Sequence, residues 1–261
     1  MTQRICTDWS ATRCGGRIAV VSVDNATKLN VVGAALLDEL CGALASCAQE
    51  AGLRAVVLRG GGDRAFIGGA DIAEMAELDP GSARGFITRL HRCCTAVRAL
   101  QVPVIARIQG FALGAGLEIA AACDLRMAAS DARFGMPEVR VGIPSVIEAA
   151  LLPMLIGWAR TRWLLMTGET ISAEQAERWG LVERVVAPDQ LDGALECAIA
   201  AIVTCGPAAL AAQKRLMRQW EDMPVTRAIE AGINSFADAF RTDEPQRMMA
   251  AFLNRKKGEQ G

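Results

Sequence analysis

GFALGAGLEIAAACDLR, Gly110 to Arg126, is the stretch whose reading decides the fold. Between Gly110 and Cys123 every residue is small or apolar except Glu118. A glutamate is almost never fully buried unless it is paired or has a chemical task. VPVIARIQG (102–110) before it is β-rich, FALGAG is a glycine-rich loop, and the residues from about Ala115 onward predict a helix. Glu118 therefore lies one short turn into a helix that opens on a glycine loop.

The same order occurs upstream. RAVVLRG (54–60) reads as a strand, GGGDRAFIGGAD as a glycine-rich loop, and a helical segment starts at Asp71. Val56 and Val104 lie about 48 positions apart, which predicts a repeated strand–loop–helix unit. RIAVVSV (17–23), LRMAA (125–129) and ERVVA (183–187) are further short strands, and residues 31–50 have helical periodicity. After about residue 190 strand signals stop, and four helical segments follow, separated at Gly206-Pro207, Met223-Pro224 and Thr242-Asp243. The expected fold class is α/β, with a core over residues 1–200 and a helical region over 201–261.

The bulk numbers exclude several function classes. The chain has 261 residues, 52% hydrophobic and 22% charged, with a net charge of −1. That gives no electrostatic case for nucleic acid or an anionic membrane. No apolar run reaches the ~18 residues of a membrane span. Nine cysteines without a CxxC pair, and an N-terminus without an apolar signal region, predict a reducing, cytoplasmic setting and no zinc site. The single histidine, His91, lies in the helical stretch LHRCCTAVRAL and is expected on a helix surface. No metal site and no Ser-His-Asp triad is expected.

Glycine in both loops lets a backbone approach a ligand closely, and each loop leads into a helix N-terminus with free N–H groups. G-x-G-x-x-G and GK[ST] are absent, which disfavours dinucleotide and nucleotide phosphates. Two such loops at equivalent points of a repeat can each present one amide to one oxyanion, or can serve helix–strand packing alone. A second carboxylate, Glu138, follows Pro137 in ARFGMPEVRVGIPS. Two glutamates beside two oxyanion donors form an acid/base set for chemistry next to a carbonyl. Asp71 is expected to order the loop and the helix start after it. KRLMRQW (214–220) reads as one face of an amphipathic helix rather than a nucleic-acid patch.

Six segments in order resemble the enoyl-CoA hydratase/isomerase (crotonase) superfamily. They are DNATKLNVVGAALLDEL (24–40), AFIGGADIAEM (65–75), GFALGAGLEIAAACDLRMAA (110–129), FGMPEVRVGI (134–143), TGETISAEQAERWGLVERVV (167–186) and FRTDEPQRMMAAFLNRKK (240–257). The resemblance implies a spiral of repeated ββα units with a C-terminal helical trimerisation region. It implies a homotrimer or a dimer of trimers acting on an acyl-CoA thioester, with coenzyme A entering only as part of the substrate and no separate cofactor. By motif position, the backbone amides of Gly68 and Ala115 would hold the thioester oxygen. Ala70, Asp71 and Gly114 would border the bound substrate. Glu118 would help activate a water and Glu138 would exchange the proton at C2, which is the pattern of an enoyl-CoA hydratase. An isomerase, decarboxylase or hydrolase would share the oxyanion site and differ in its acid/base groups. Lys28 sits where the family passes the nucleotide end of CoA, and a solvated turn lysine is the other reading. The segment SVIEAALL (145–152) departs from the family pattern and adds a third carboxylate, Glu148, which either lines the acyl pocket or favours a helix first turn.

Overall fold

The computed structural model describes residues 3–12 and 15–258, with side chains through Asn254. The chain winds as a spiral in which successive turns add a strand to each of two sheets. The first turn holds β1 (Arg4–Ala11), β2 (Arg17–Asp24) and α1 (Ala34–Gln49). The second holds β3 (Leu53–Gly60), β4 (Ala65–Ile67), α2 (Ile72–Ala76) and α3 (Pro80–Ala99). The third holds β5 (Val104–Ile108), β6 (Phe111–Leu113) and α4 (Ala115–Ala122). Then come β7 (Leu125–Ala129), β8 (Arg133–Gly135), α5 (Leu152–Ile156), α6 (Trp158–Thr167), β9 (Thr170–Ser172), α7 (Ala173–Trp179) and β10 (Arg184–Val186). The larger sheet has the order β1-β2-β3-β5-β7-β10, parallel except for the β1–β2 pair. The smaller one has the order β4-β6-β8-β9. This is the repeated ββα spiral that the family resemblance implies.

Strands β3 and β5 read as nearly unbroken apolar runs because the larger sheet is covered on both faces. One face packs on α1 and α3 through residues such as Leu36, Leu40, Leu90 and Val97. The other packs on α8 (Leu191–Val203) through Ile18, Val57, Ile105 and Leu195. β1 has no sequence signal, since at the sheet edge none of its residues is fully buried and they show no alternation.

Three further helices complete the chain: α9 (Pro207–Trp220), α10 (Val225–Ala239) and α11 (Glu244–Gly258). The expected boundary at 200/201 falls inside α8, which belongs to the core because it covers a sheet face. Helix α9 is tied to the same body. Lys214 is buried and donates to Asp124 Oδ2 at 2.6 Å and to the Val102 carbonyl at 3.1 Å. The lysine read as one of a surface row is therefore a core anchor, and burial lowers its affinity for its proton. Among the described residues no single helix is long and apolar enough to cross a membrane.

Candidate active site

Two glycine corners meet at one cleft of about 780 Å³. A side chain on Gly116 would place Cβ 2.0 Å from the Ile67 carbonyl, so the first turn of α4 lies directly against the end of β4. That contact brings the loop after β4 beside the loop before α4. Ile72, Met75, Phe86, Leu90, Val141 and Ile143 make the cleft walls apolar.

At the first corner Gly68 N–H donates to the Leu29 carbonyl at 2.8 Å. Gly69 has φ +126°, a conformation that only glycine adopts readily. Past it, Val32 N–H donates to Gly69 O at 2.9 Å and Asp71 N–H to Val32 O at 3.0 Å. Ala70 N–H, between these two bonds on the opposite side of the backbone, has no protein acceptor among the described residues. Ala70 lines the cleft. The expectation that Gly68 offers its amide to the cleft is thus corrected: that N–H is taken by Leu29, and the amide left over at this corner is that of Ala70. Gly68 is glycine for a different reason, since its Cβ would meet Leu29 O at 2.8 Å.

At the second corner Gly114 takes φ +50° and its N–H donates to Gly135 O at 2.9 Å. Ala115 is the first residue of α4. Its N–H belongs to the unpaired donors of a helix N-terminus and has no protein acceptor among the described residues. Ala115 also lines the cleft, as expected.

Both glutamates line the same cleft. Glu138 rides on a 3-10 turn, Pro137–Val141, and its Oε2 accepts from Ser145 Oγ at 2.8 Å. Glu118 is 4% exposed, and its Oε1 accepts from Ala149 N–H at 3.3 Å. Burial, then the charge of Glu138, and finally that of Glu148 push the Glu118 carboxyl up to about 8, against the Ala149 bond, which lowers it. This environment favours the protonated form of Glu118 at neutral pH.

The remaining expected residues divide. Asp71 caps α2, accepting from Ala73 N–H at 3.0 Å, and pairs with Lys28 at 3.6 Å. Lys28 is exposed on the turn Ala26–Lys28 and is not part of the cleft lining. Glu148 is also absent from that lining. It lies behind Glu118 on the 3-10 turn Ile147–Leu151, 6% exposed, with Oε1 2.9 Å from His91 Nδ1. The helix start expected at Glu148 is this turn, which leads into α5.

The model of the enoyl-CoA hydratase/isomerase family matches residues 13–260. The chain belongs to that family. It is 34% identical over 245 residues to a short-chain-enoyl-CoA hydratase of Clostridium acetobutylicum, covering 94% of each chain. It is 33% identical over 242 residues to a crotonyl-CoA hydratase of Syntrophomonas wolfei, covering 92% of this chain and 93% of that one. The crystal structure of an enoyl-CoA hydratase from Bacillus anthracis superposes with a TM-score of 0.91 at 30% identity, over 97% of both chains.

Within this enoyl-CoA hydratase/isomerase family member, sequence reading missed Ser145, Ala149 and the partner of His91. Ser145 and Ala149 act through a hydroxyl and a backbone amide, neither of which has a sequence signature. Arg84 and Arg140 also reach the cleft, Arg140 donating through Nε to Thr167 O at 3.2 Å.

Proposed function

We propose that the protein is an enoyl-CoA hydratase, adding water across the C2–C3 double bond of a 2-enoyl-CoA thioester. The observation that carries this reading is the placement of Glu118 and Glu138 in one cleft with the unpaired amides of Ala70 and Ala115. The two amides would hold the thioester oxygen as negative charge develops on it, where one such donor contributes ~10²–10³ in rate. The acyl chain would lie along the apolar walls.

Hydration needs one carboxylate and one carboxylic acid. The surroundings of Glu118 favour a proton there at the start of the cycle. A water held between the two carboxyls relays it, taking the Glu118 proton and giving one of its own to Glu138. Glu118 is then the base and Glu138 the acid. The water gives a proton to Glu118 as its oxygen bonds to C3, and Glu138 gives its proton to C2. The cycle ends with the proton on Glu118 and none on Glu138, the arrangement in which it began.

Crotonyl-CoA is the probe. The reading expects loss of the conjugated enoyl-thioester absorbance on mixing and formation of 3-hydroxybutyryl-CoA. Stable absorbance, with isomerisation of a 3-enoyl-CoA instead, would replace it by an isomerase that uses a single base.

A trimer, or a dimer of trimers, belongs to the same reading. Helix α10 leaves Val225, Ile229, Ile233 and Phe236 exposed by 76%, 60%, 66% and 70% along one face. Contiguous apolar surface of that kind marks an interface. Light scattering at micromolar concentration should give a multiple of three chains, and a stable monomer would reject it.

A further inference from the structure

Glu148 and His91 lie outside the cleft and are not part of the mechanism above. Glu148 is buried, yet its Oε2 has no hydrogen-bond donor among the described residues. Its Oε1 meets Nδ1 of His91, whose ring on α3 is 54% exposed. The two atoms share one hydrogen bond across 2.9 Å. The next residue, Ala149, shares its N–H between the Val146 carbonyl at 2.9 Å and Glu118 Oε1 at 3.3 Å. The groups facing this pair of carboxylates are His91 and the Cys94 thiol from α3, and Glu138 from the cleft side. Burial first, and the two glutamates after it, keep Cys94 a neutral thiol.

The arrangement is costly for a purely structural device. A buried carboxylate set beside a second buried carboxyl destabilises the fold relative to an amide or an apolar residue. The turn is also strained: Ile147, a β-branched residue, has φ +37°. Two bonds hold the turn at its far side, one from His91 to Glu148 and one from Ala149 to Glu118.

We propose that Glu148, clamped by His91, is a positioning residue for Glu118. It keeps the Ala149 amide on Glu118 and sets one negative charge behind it, so that the protonation of a buried carboxyl in the cleft is coupled to a half-exposed imidazole outside it. As a contribution to catalysis this rests on the hydratase reading of Glu118, but the coupling belongs to the folded protein and is measured without turnover.

His91 is the only histidine in the chain, so its ring resonances are assigned by composition alone. Ring ¹⁵N spectra of the full chain should place the proton of the neutral ring on Nδ1, and E148Q should move it toward Nε2. E118Q, which touches neither partner of the clamp, should also shift the His91 ring signals. In the kinetic arm, E148Q should move the alkaline limb of kcat to lower pH by about half a unit or more, because a like charge beside Glu118 has been removed. KM for crotonyl-CoA should stay within about twofold, since the amides that bind the thioester are untouched. His91 signals indifferent to E118Q, or an unmoved limb in E148Q, would overturn the proposal. If E148Q fails to fold, E118Q decides it alone. A protein that does not hydrate crotonyl-CoA but whose His91 follows Glu118 loses the hydratase reading and keeps the coupling.

Discussion

The carboxylate of Glu138 occupies the space that a side chain on Gly114 would need: a Cβ there would lie 2.4 Å from Glu138 Oε1. One glycine therefore does two things. Its φ of +50° aims the Ala115 amide into the cleft, and its bare Cα lets the second glutamate approach. Gly114→Ala should displace Glu138 and strain the helix start. A misplacement of about 1 Å costs on the order of 10²-fold in rate. The variant should lose that much in kcat, and near-normal kcat would show that Glu138 does not work from this position.

Ala115→Pro tests the oxyanion amide by itself. Proline is tolerated as the first residue of a helix and removes only the N–H. The expected loss is ~10²–10³ in kcat with the fold retained, as checked by circular dichroism. Gly68→Ala should instead lower the melting temperature, because its Cβ would press on the Leu29 carbonyl. A Gly68→Ala variant with wild-type stability would contradict the close approach.

Glu118→Gln and Glu138→Gln should each reduce hydratase kcat by ~10²–10⁴. The double variant should lose less than the product of the two, because both carboxyls act on one water. A strictly multiplicative loss would mean that the two act in separate steps.

The pH dependence of stability carries its own sign. Folded Glu118 keeps its proton to about pH 8, and the unfolded chain releases it near 4.5. The folded state therefore binds more protons between these values, and stability falls as pH rises through that window. Glu118→Gln removes the effect. A one-unit shift corresponds to about 1.4 kcal/mol, so even half of this shift makes the variant on the order of 2 kcal/mol more stable above pH 8. The gain in melting temperature should be small at about pH 5 and reach several degrees at about pH 8.5. A gain independent of pH would place the proton elsewhere.

The repeat and the cleft's two carboxylates were legible because both leave one-dimensional traces. Continuous apolar runs such as VIARI record strands covered on both faces, and Glu118 is conspicuous as a lone charge in an apolar helix. Strand β1 left no trace because an edge strand does not need apolar residues on both faces. That the Gly68 amide is occupied by Leu29 is illegible for a related reason. A motif marks which glycines are present but not which way each peptide plane faces, and here the turn at Gly69 and the bonds to Val32 aim Ala70 into the cleft.

Residue type and local order carry the strand–loop–helix repeat and single out the carboxyls Glu118 and Glu138, and the motif resemblance marks Ala115. Only the packing of the folded chain decides that the Gly68 amide is taken by Leu29 while that of Ala70 is left over, that Lys214 is a buried anchor, that α8 covers the sheet and that Glu148 faces His91 outside the cleft lining. Those outcomes depend on distances between residues far apart in the chain: His91 and Glu148 are brought to 2.9 Å by the packing of α3 on the Ile147–Leu151 turn. Composition and periodicity carry no record of such a distance.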